Sequence, residues 1–210
     1  MIKILIADDH QIVREGLKKI VEGHPGLTVV AEAATGHEAL EQAKATKPDV
    51  VLLDVSMPGK GGLETVQELK ARDPRVRVLM LTVHPEDHYA VRCLKGGADG
   101  YLTKDVASSQ LVEAIQKVFR GGKYVSPTLA ERLAESLGAG FGRAPHEVLS
   151  NREFEVLRRI GSGQTVGEIA EALHLSVKTV STYRARILEK MNMKTNAEIV
   201  RYAVGEGLTD

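Results

Sequence analysis

The chain has 210 residues, enough for one large domain or two modest ones, and 43% of them are hydrophobic, which supports a buried core and excludes a disordered chain. Lys plus Arg and Asp plus Glu number 28 each, so the formal charge is zero and bulk polyelectrolyte binding is excluded. Residues 1–122 carry 16 basic and 17 acidic side chains and residues 148–210 carry 9 and 8, so any nucleic-acid contact has to come from a local patch.

The opening MIKILIADDH holds an apolar run too short for a signal peptide, and no later run reaches the roughly 18 apolar residues of a membrane span, so a cytoplasmic protein is expected. From residue 2 to about 120, short apolar runs alternate with amphipathic segments. The runs are 2–7, 27–33, 49–54, 76–82 and 99–103, and most are continuously hydrophobic, as in parallel strands covered on both faces. Helical patterns lie between and after them, near 11–22, 36–46, 63–72, 86–96 and 107–120. Five such β-α units predict a doubly wound α/β domain with a five-stranded parallel sheet and right-handed crossovers. Cys93, the single cysteine, falls in the fourth helical pattern, where packing is expected; no intramolecular disulfide or thiolate zinc site can form.

Residues 126–137 read as a short helix, and the glycine-rich 138–145 as a flexible linker. Beyond Leu149 the pattern is purely helical, over 150–161, 165–173, 176–191 and 196–205. Ser150-Asn151-Arg152-Glu153 and Thr165-Val166-Gly167-Glu168 are capping boxes, and Ser176 is a third N-cap. The expected organisation is therefore 1–122, a linker with a short helix over 123–147, and a small all-α domain of four helices over 148–210.

Ligands of open parallel sheets bind at the carboxyl ends of the strands. Here those ends read Asp8-Asp9, Asp54, Thr82 and Lys104, polar or charged residues after apolar runs. Three carboxylates repel one another unless a cation lies between them, and an oxygen-only donor set suits Mg²⁺ or Mn²⁺. With the Lys104 ammonium and the Thr82 hydroxyl they can stabilise an aspartyl phosphate: a carboxylate nucleophile, a metal, and donors for the phosphoryl oxygens.

This set, with Met57-Pro58-Gly59 after Asp54, resembles the receiver domain of two-component response regulators over residues 1 to about 122. The resemblance implies Asp54 as phosphoacceptor, and Asp8 and Asp9 holding Mg²⁺ beside Asp54 and the backbone carbonyl of Ser56. It also implies Lys104 and Thr82 as phosphoryl contacts and Tyr101 as an aromatic that follows Thr82. Two positions depart from the pattern: Lys60-Gly61, where many receivers carry an apolar residue and Asp, and Val83, where a smaller residue is common. His10 is expected to cap the first helix, and His84 lies near the phosphoryl position of receivers. A haloacid-dehalogenase-type phosphatase is the rival enzyme reading, but it carries Asp-x-Asp, whereas Asp8 and Asp9 are adjacent. A third reading keeps the receiver as a phosphorylation-independent dimerisation module, against which the intact acidic set argues.

In the C-terminal segment, the helices 165–173 and 176–191 read as helix-turn-helix. On a helical wheel the second places Val180, Tyr183, Ile187, Leu188 and Met191 on a core stripe. Lys178, Ser181, Thr182, Ala185, Arg186 and Glu189 fall opposite, a face of small and polar residues suited to a major groove. Lys178 and Thr179 occupy the first turn, where amides favour phosphate; Arg184 lies beside the stripe. The run 175–183, with Leu149-Ser150-Asn151-Arg152-Glu153, resembles the NarL/FixJ, or LuxR-type, DNA-binding domain; Tyr183 stands where many members have His. The combined resemblance implies a transcription regulator, not an enzyme on a separate substrate. A sensor histidine kinase would phosphorylate it, and a homodimer would then bind promoter DNA through Lys178, Thr179, Ser181, Thr182 and Arg186. RNA polymerase stands as a further candidate partner. Ile199, Val200, Ala203 and Val204 on the last helix are the expected apolar surface for pairing, some of them packing against the domain's own core.

Overall fold

The computed structural model describes residues 1–82, 88–105, 108–127, 129–131, 134 and 144–209. The chain divides into two compact units, Met1–Ala134 and Glu135–Asp210.

The first unit alternates strand and helix: β1 (Ile2–Ala7), α1 (Gln11–Glu22), β2 (Leu27–Ala33), α2 (Gly36–Thr46), β3 (Val50–Asp54), α3 (Gly62–Arg72), β4 (Arg77–Thr82), α4 (His88–Lys95), β5 (Gly100–Thr103) and α5 (Ser108–Phe119). All strand pairings are parallel, in the order β2-β1-β3-β4-β5. Every residue of the central β3 is buried, whereas edge strand β2 is half-buried along most of its length. A strand sandwiched between helices on both faces cannot carry polar residues, which is why β3 and β4 read as unbroken apolar runs. Ile4, Ile6, Val50, Leu52, Leu79 and Leu81 pack with Leu111, Ala114, Ile115 and Val118 of α5 into one core. The strand order reverses between β1 and β3, so the crevice of this fold opens at their carboxyl ends.

The described elements lie within one or two residues of the expected bounds. The helix expected to start at 86 is seen from His88, and residues 86 and 87 lie outside the described residues, as do Val83 and His84. After α5 the chain returns along the sheet. The Tyr124 amide donates to the Asp99 carbonyl and the Tyr101 amide to the Tyr124 carbonyl, each at 3.0 Å, forming a parallel bridge beside Gly100. A Cβ on Gly100 would lie 2.8 Å from the Tyr124 carbonyl oxygen, so this approach requires glycine. Ser126 then starts the expected short helix, its hydroxyl accepting from the Leu129 amide at 3.1 Å. The glycine-rich stretch expected to be a linker lies almost entirely outside the described residues.

The second unit opens with a short 3₁₀ turn, Pro145–Val148, followed by α6 (Asn151–Gly161), α7 (Val166–Ala172), α8 (Val177–Lys190) and α9 (Asn196–Gly205). Both capping boxes form: Ser150 and Glu153, and Thr165 and Glu168, bond one another's amides. Ser176 caps α8, and Thr195 caps α9. The turn between α7 and α8 is closed by the Leu175 amide donating to the Ala170 carbonyl at 2.8 Å, with His174 in the left-handed region (φ 52°). Phe154, Leu157, Ile169, Val180, Ile187, Ile199 and Ala203 form the core.

Candidate functional site

Parallel pairing brings the ends of β1, β3, β4 and β5 to one rim. Asp8 and Asp9 follow β1, Asp54 ends β3, Thr82 ends β4, and Lys104 follows β5. Asp8, Asp54 and Thr82 are buried and Asp9 is half-buried. The Lys104 ammonium lies 2.6 Å from Asp8 Oδ2 and 3.1 Å from Asp54 Oδ1, joining two carboxylates that are 46 residues apart in sequence. The Lys104 amide also donates to the Thr82 carbonyl at 2.6 Å, which holds the lysine to β4. Gly62, at the start of α3, presses on the strand end that carries Asp54: its amide donates to the Val55 carbonyl at 3.0 Å, and a Cβ there would lie 2.2 Å from the Asp54 carbonyl oxygen.

His10 departs from expectation. It holds the N-cap position of α1, but its side chain makes no capping bond. Its amide donates instead to Asp8 Oδ1 at 2.9 Å, and its Nδ1 lies 2.7 Å from Asp9 Oδ1. The adjacent carboxylates outcompete the helix amides because they are full charges close to the ring. One ligand atom from each of Asp8, Asp9, His10 and Asp54 can be chosen so that all lie within 4.8 Å of one another.

The Asp54 carboxyl is pushed up to about 6: burial raises it most and the nearby Asp8 adds to this, while Lys104 and the Ser56 amide, which donates to Asp54, pull the other way. Burial opposes the charge of Lys104, but Asp54 and Asp8 outweigh it and hold the lysine above its ordinary value. Three carboxylates thus face one ammonium, a deficit that one divalent cation would cancel. The carboxylate oxygens suit a hard cation such as Mg²⁺, so the residues present fit one. Tyr101 is fully buried on β5. Lys60, at the departure from the receiver pattern, pairs with Glu68 on α3, which also binds Arg72.

Two residues near this rim and behind it escape a reading of the sequence. Arg14, one turn into α1, donates from Nη1 to the Asp8 carbonyl at 2.7 Å, and its Nε lies 3.6 Å from Glu32 Oε2 on β2. Asp99, expected inside β5, precedes it as a buried hub: it accepts from Lys70 (2.5 Å), Arg77 (3.2 Å), Lys123 (3.3 Å) and the Val78 amide (3.0 Å). Burial opposes its charge, but these donors hold its carboxyl below the usual range. Only the strand order reveals either group, because the partners lie on elements distant in sequence.

In the helical unit, Lys178, Ser181, Thr182, Ala185, Arg186 and Glu189 all lie on the exposed face of α8, while Val180, Ile187 and Met191 are buried. Tyr183 and Leu188 are half-buried and border the core stripe. Among the described residues, neither Lys178 nor Arg186 is ion-paired, whereas Lys190 binds Glu153 at 2.7 Å and Arg184 binds Asn196 at the start of α9. Thr179 is half-buried, and its hydroxyl bonds that of Ser176 at 2.7 Å. The expected pairing surface on α9 contracts: Ile199 and Ala203 are fully buried in the domain's own core, leaving Val204 exposed and Val200 half-buried. Four helices in so short a segment need both inward positions to close a core. Among the described residues, no helix is long and apolar enough to cross a membrane.

A doubly wound sheet with an acidic rim, followed by a capped helix-turn-helix, defines a two-domain regulator with a receiver and a DNA-binding unit. Residues 4–116 match the response regulator receiver domain family and residues 147–203 match the luxR family of bacterial regulatory proteins. The chain is 42% identical to the response regulator GacA of Pseudomonas syringae pv. syringae, covering 100% of this chain and 99% of that one. It is 39% identical to UvrY of Escherichia coli K12, over 99% and 96%. Among solved structures it resembles the RcsB response regulator of Salmonella typhimurium with a TM-score of 0.68 at 26% identity, covering 97% of each chain. It also resembles RcsB of Salmonella enterica serovar Typhimurium bound to the promoter P1flhDC in the presence of the phosphomimetic BeF₃⁻, with a TM-score of 0.60 at 27% identity over 96% and 97%. The chain belongs to the NarL/FixJ, or LuxR-type, family of two-component response regulators.

Proposed function

We propose that phosphorylation of Asp54 by a sensor histidine kinase switches this protein into a dimer that binds promoter DNA. The observation that carries the reading is Lys104, whose ammonium touches both Asp8 and Asp54 at the carboxyl rim of the sheet. A lysine held between two carboxylates can also take a phosphoryl oxygen. Asp54 attacks phosphorus as its carboxylate, the bond to the donor breaks, and the donor leaves with its electron pair. Lys104 and Thr82 then hold oxygens of the phosphoryl group on Asp54. Asp8, Asp9, Asp54 and the Ser56 carbonyl would hold Mg²⁺, which supplies charge neutralisation for the transfer. The protein catalyses its own modification only.

The new charge, about −1.5 to −2 at neutral pH, biases Thr82 and Tyr101 and through them the receiver surface. Residues 1–122 serve as receiver, 123–147 as linker and 148–210 as DNA-binding domain. Lys178 and Arg186 stand ready for phosphate and Ser181 and Thr182 for base edges, because all four lie on the exposed face of α8. Thr179 lies beside Lys178 in the same first turn, and a phosphate contact from it would have to replace the Ser176 cap, because its amide donates to the Ser176 hydroxyl at 3.0 Å and its own hydroxyl is bonded to the same group. The promoter-bound RcsB relative supports this use of the fold.

Incubation of the full chain with acetyl phosphate and Mg²⁺ should add a single phosphate by intact mass. Asp54→Asn should remain unlabelled, and labelling of that variant to the same extent would overturn the assignment.

A further inference from the structure

We infer that Arg14 is the positioning residue that sets the mutual orientation of Asp8 and Asp9. The inference rests on the reading of these two aspartates as holders of Mg²⁺ and deepens it. The main-chain groups of Asp8 and one of its carboxylate oxygens are all claimed. Its amide donates to the Ala33 carbonyl at 3.0 Å, and its Oδ1 accepts from the His10 amide at 2.9 Å. Its carbonyl accepts from Arg14 Nη1 at 2.7 Å. That carbonyl belongs to the peptide plane joining Asp8 to Asp9, and rotation of this plane would swing one carboxylate relative to the other. The guanidinium is itself fixed, since Nε faces Glu32 at 3.6 Å and the side chain is only 16% exposed. Glu32 stands beside Ile6 in the β1–β2 register and also accepts from Lys18 at 2.9 Å, so the clamp runs from α1 through β2 to the end of β1. One planar fork reaches both acceptors; an ammonium on a single stem reaches one.

Charge and geometry make opposite demands here, which renders the role decidable. A cation beside two carboxylates repels Mg²⁺, so if Arg14 acted through its charge its loss would tighten metal binding. If it acts by fixing the peptide plane, its loss loosens the donor pair and weakens binding. Glu32 is shared between Arg14 and Lys18 and offsets the guanidinium only in part, so the sign of the change in Mg²⁺ affinity separates the two roles. Groups that orient metal ligands without touching the metal are commonly worth about tenfold or more in affinity.

The test is Mg²⁺ titration of the full-length protein by calorimetry, because the chain has no tryptophan to report binding by fluorescence. Arg14→Ala should raise the Mg²⁺ Kd about tenfold, while Asp54 labelling at saturating Mg²⁺ stays within about threefold of wild type, a split that general loss of structure does not produce. Arg14→Lys, which keeps the charge and loses the fork, should also bind Mg²⁺ more weakly. It carries the test alone if circular dichroism shows that the alanine variant has lost its fold. Unchanged or tighter Mg²⁺ binding by the folded variants, with normal binding by wild type, overturns the inference and leaves the phosphoacceptor reading standing. A wild type that binds no Mg²⁺ overturns both.

Discussion

Asp54→Asn should stabilise the protein when no divalent cation is bound. Burial raises the carboxyl of Asp54 from 3.8 to about 6, so at neutral pH the folded protein keeps a charge that it solvates poorly. At about 1.4 kcal/mol per pH unit, the shift corresponds to roughly 3 kcal/mol against folding. The attraction of Lys104 is already contained in that net value, and Lys104 keeps Asp8 in the variant, so the expected gain is up to about 3 kcal/mol, or up to about 10 °C in Tm. The pH window follows from the direction of the shift. Below pH 3.8 the carboxyl is protonated in both the folded and the unfolded chain, and wild type and variant should unfold together. Between that value and about 6 the unfolded chain releases its proton first, so wild type loses stability relative to the variant as pH rises; above the folded value the gap is complete. Calorimetric melting of both proteins in EDTA, at several pH values from 4 to 8, measures the gap. A variant less stable than wild type at pH 7.5, or a gap as large at pH 4 as at pH 7.5, would refute the assignment of the penalty to Asp54. Saturating Mg²⁺ should narrow or reverse the gap, because only wild type offers the full carboxylate set.

Other outcomes follow from the same geometry. Gly62→Ala should cost more than about 1 kcal/mol by denaturant melting and slow Asp54 labelling, because the added methyl meets the Asp54 carbonyl at 2.2 Å. On α9, Ile199→Ala should destabilise the helical unit by about 2–5 kcal/mol, whereas Val204→Glu should leave melting unchanged and lower the phosphorylated dimer population in sedimentation; equal melting losses would contradict the burial assigned to these side chains. Lys178→Ala should weaken binding to specific and random DNA alike and reduce the log–log salt slope by about one, while changes at Ser181 or Thr182 should shift preference at one base pair by about 1–3 kcal/mol. A half-site library read at several salt concentrations separates these effects, and the reverse pattern would show that α8 docks in another register.

Much of this architecture is legible in the sequence because its signals are local. Unbroken apolar runs mark β3 and β4, serine and threonine followed by glutamate mark the helix starts at 150 and 165, and charged residues end runs that should end apolar. The wheel placed the exposed face of α8 correctly because a single helix on a small core has only one face to bury. What a local reading leaves open or gets wrong shares a cause. His10 was expected as a cap on a local rule, but the acidic pair it meets is assembled by β1 and β3 together. On the last helix the expectation that some of the four apolar residues turn inward holds, and only the packing of α6 against α9 shows that these are Ile199 and Ala203. Arg14 and Asp99 gain their meaning from partners on other elements, information that no local window contains.

The return of the chain at Tyr124 covers the start of the β5 edge. An open strand edge is an adhesive surface, since its free amides and carbonyls can pair with any extended segment. Beside β5, the Tyr101 amide and the Asp99 carbonyl are already taken by Tyr124, and the Lys123 ammonium, bound to the Ala98 carbonyl at 2.8 Å, sets a charge along the same margin. The absence of a side chain at Gly100 lets this seam close. At the start of β5, a neighbouring strand would have to displace Tyr124 to reach the Tyr101 amide and the Asp99 carbonyl. The same pairing ties the segment after α5 to the sheet through main-chain bonds that do not depend on its side chains.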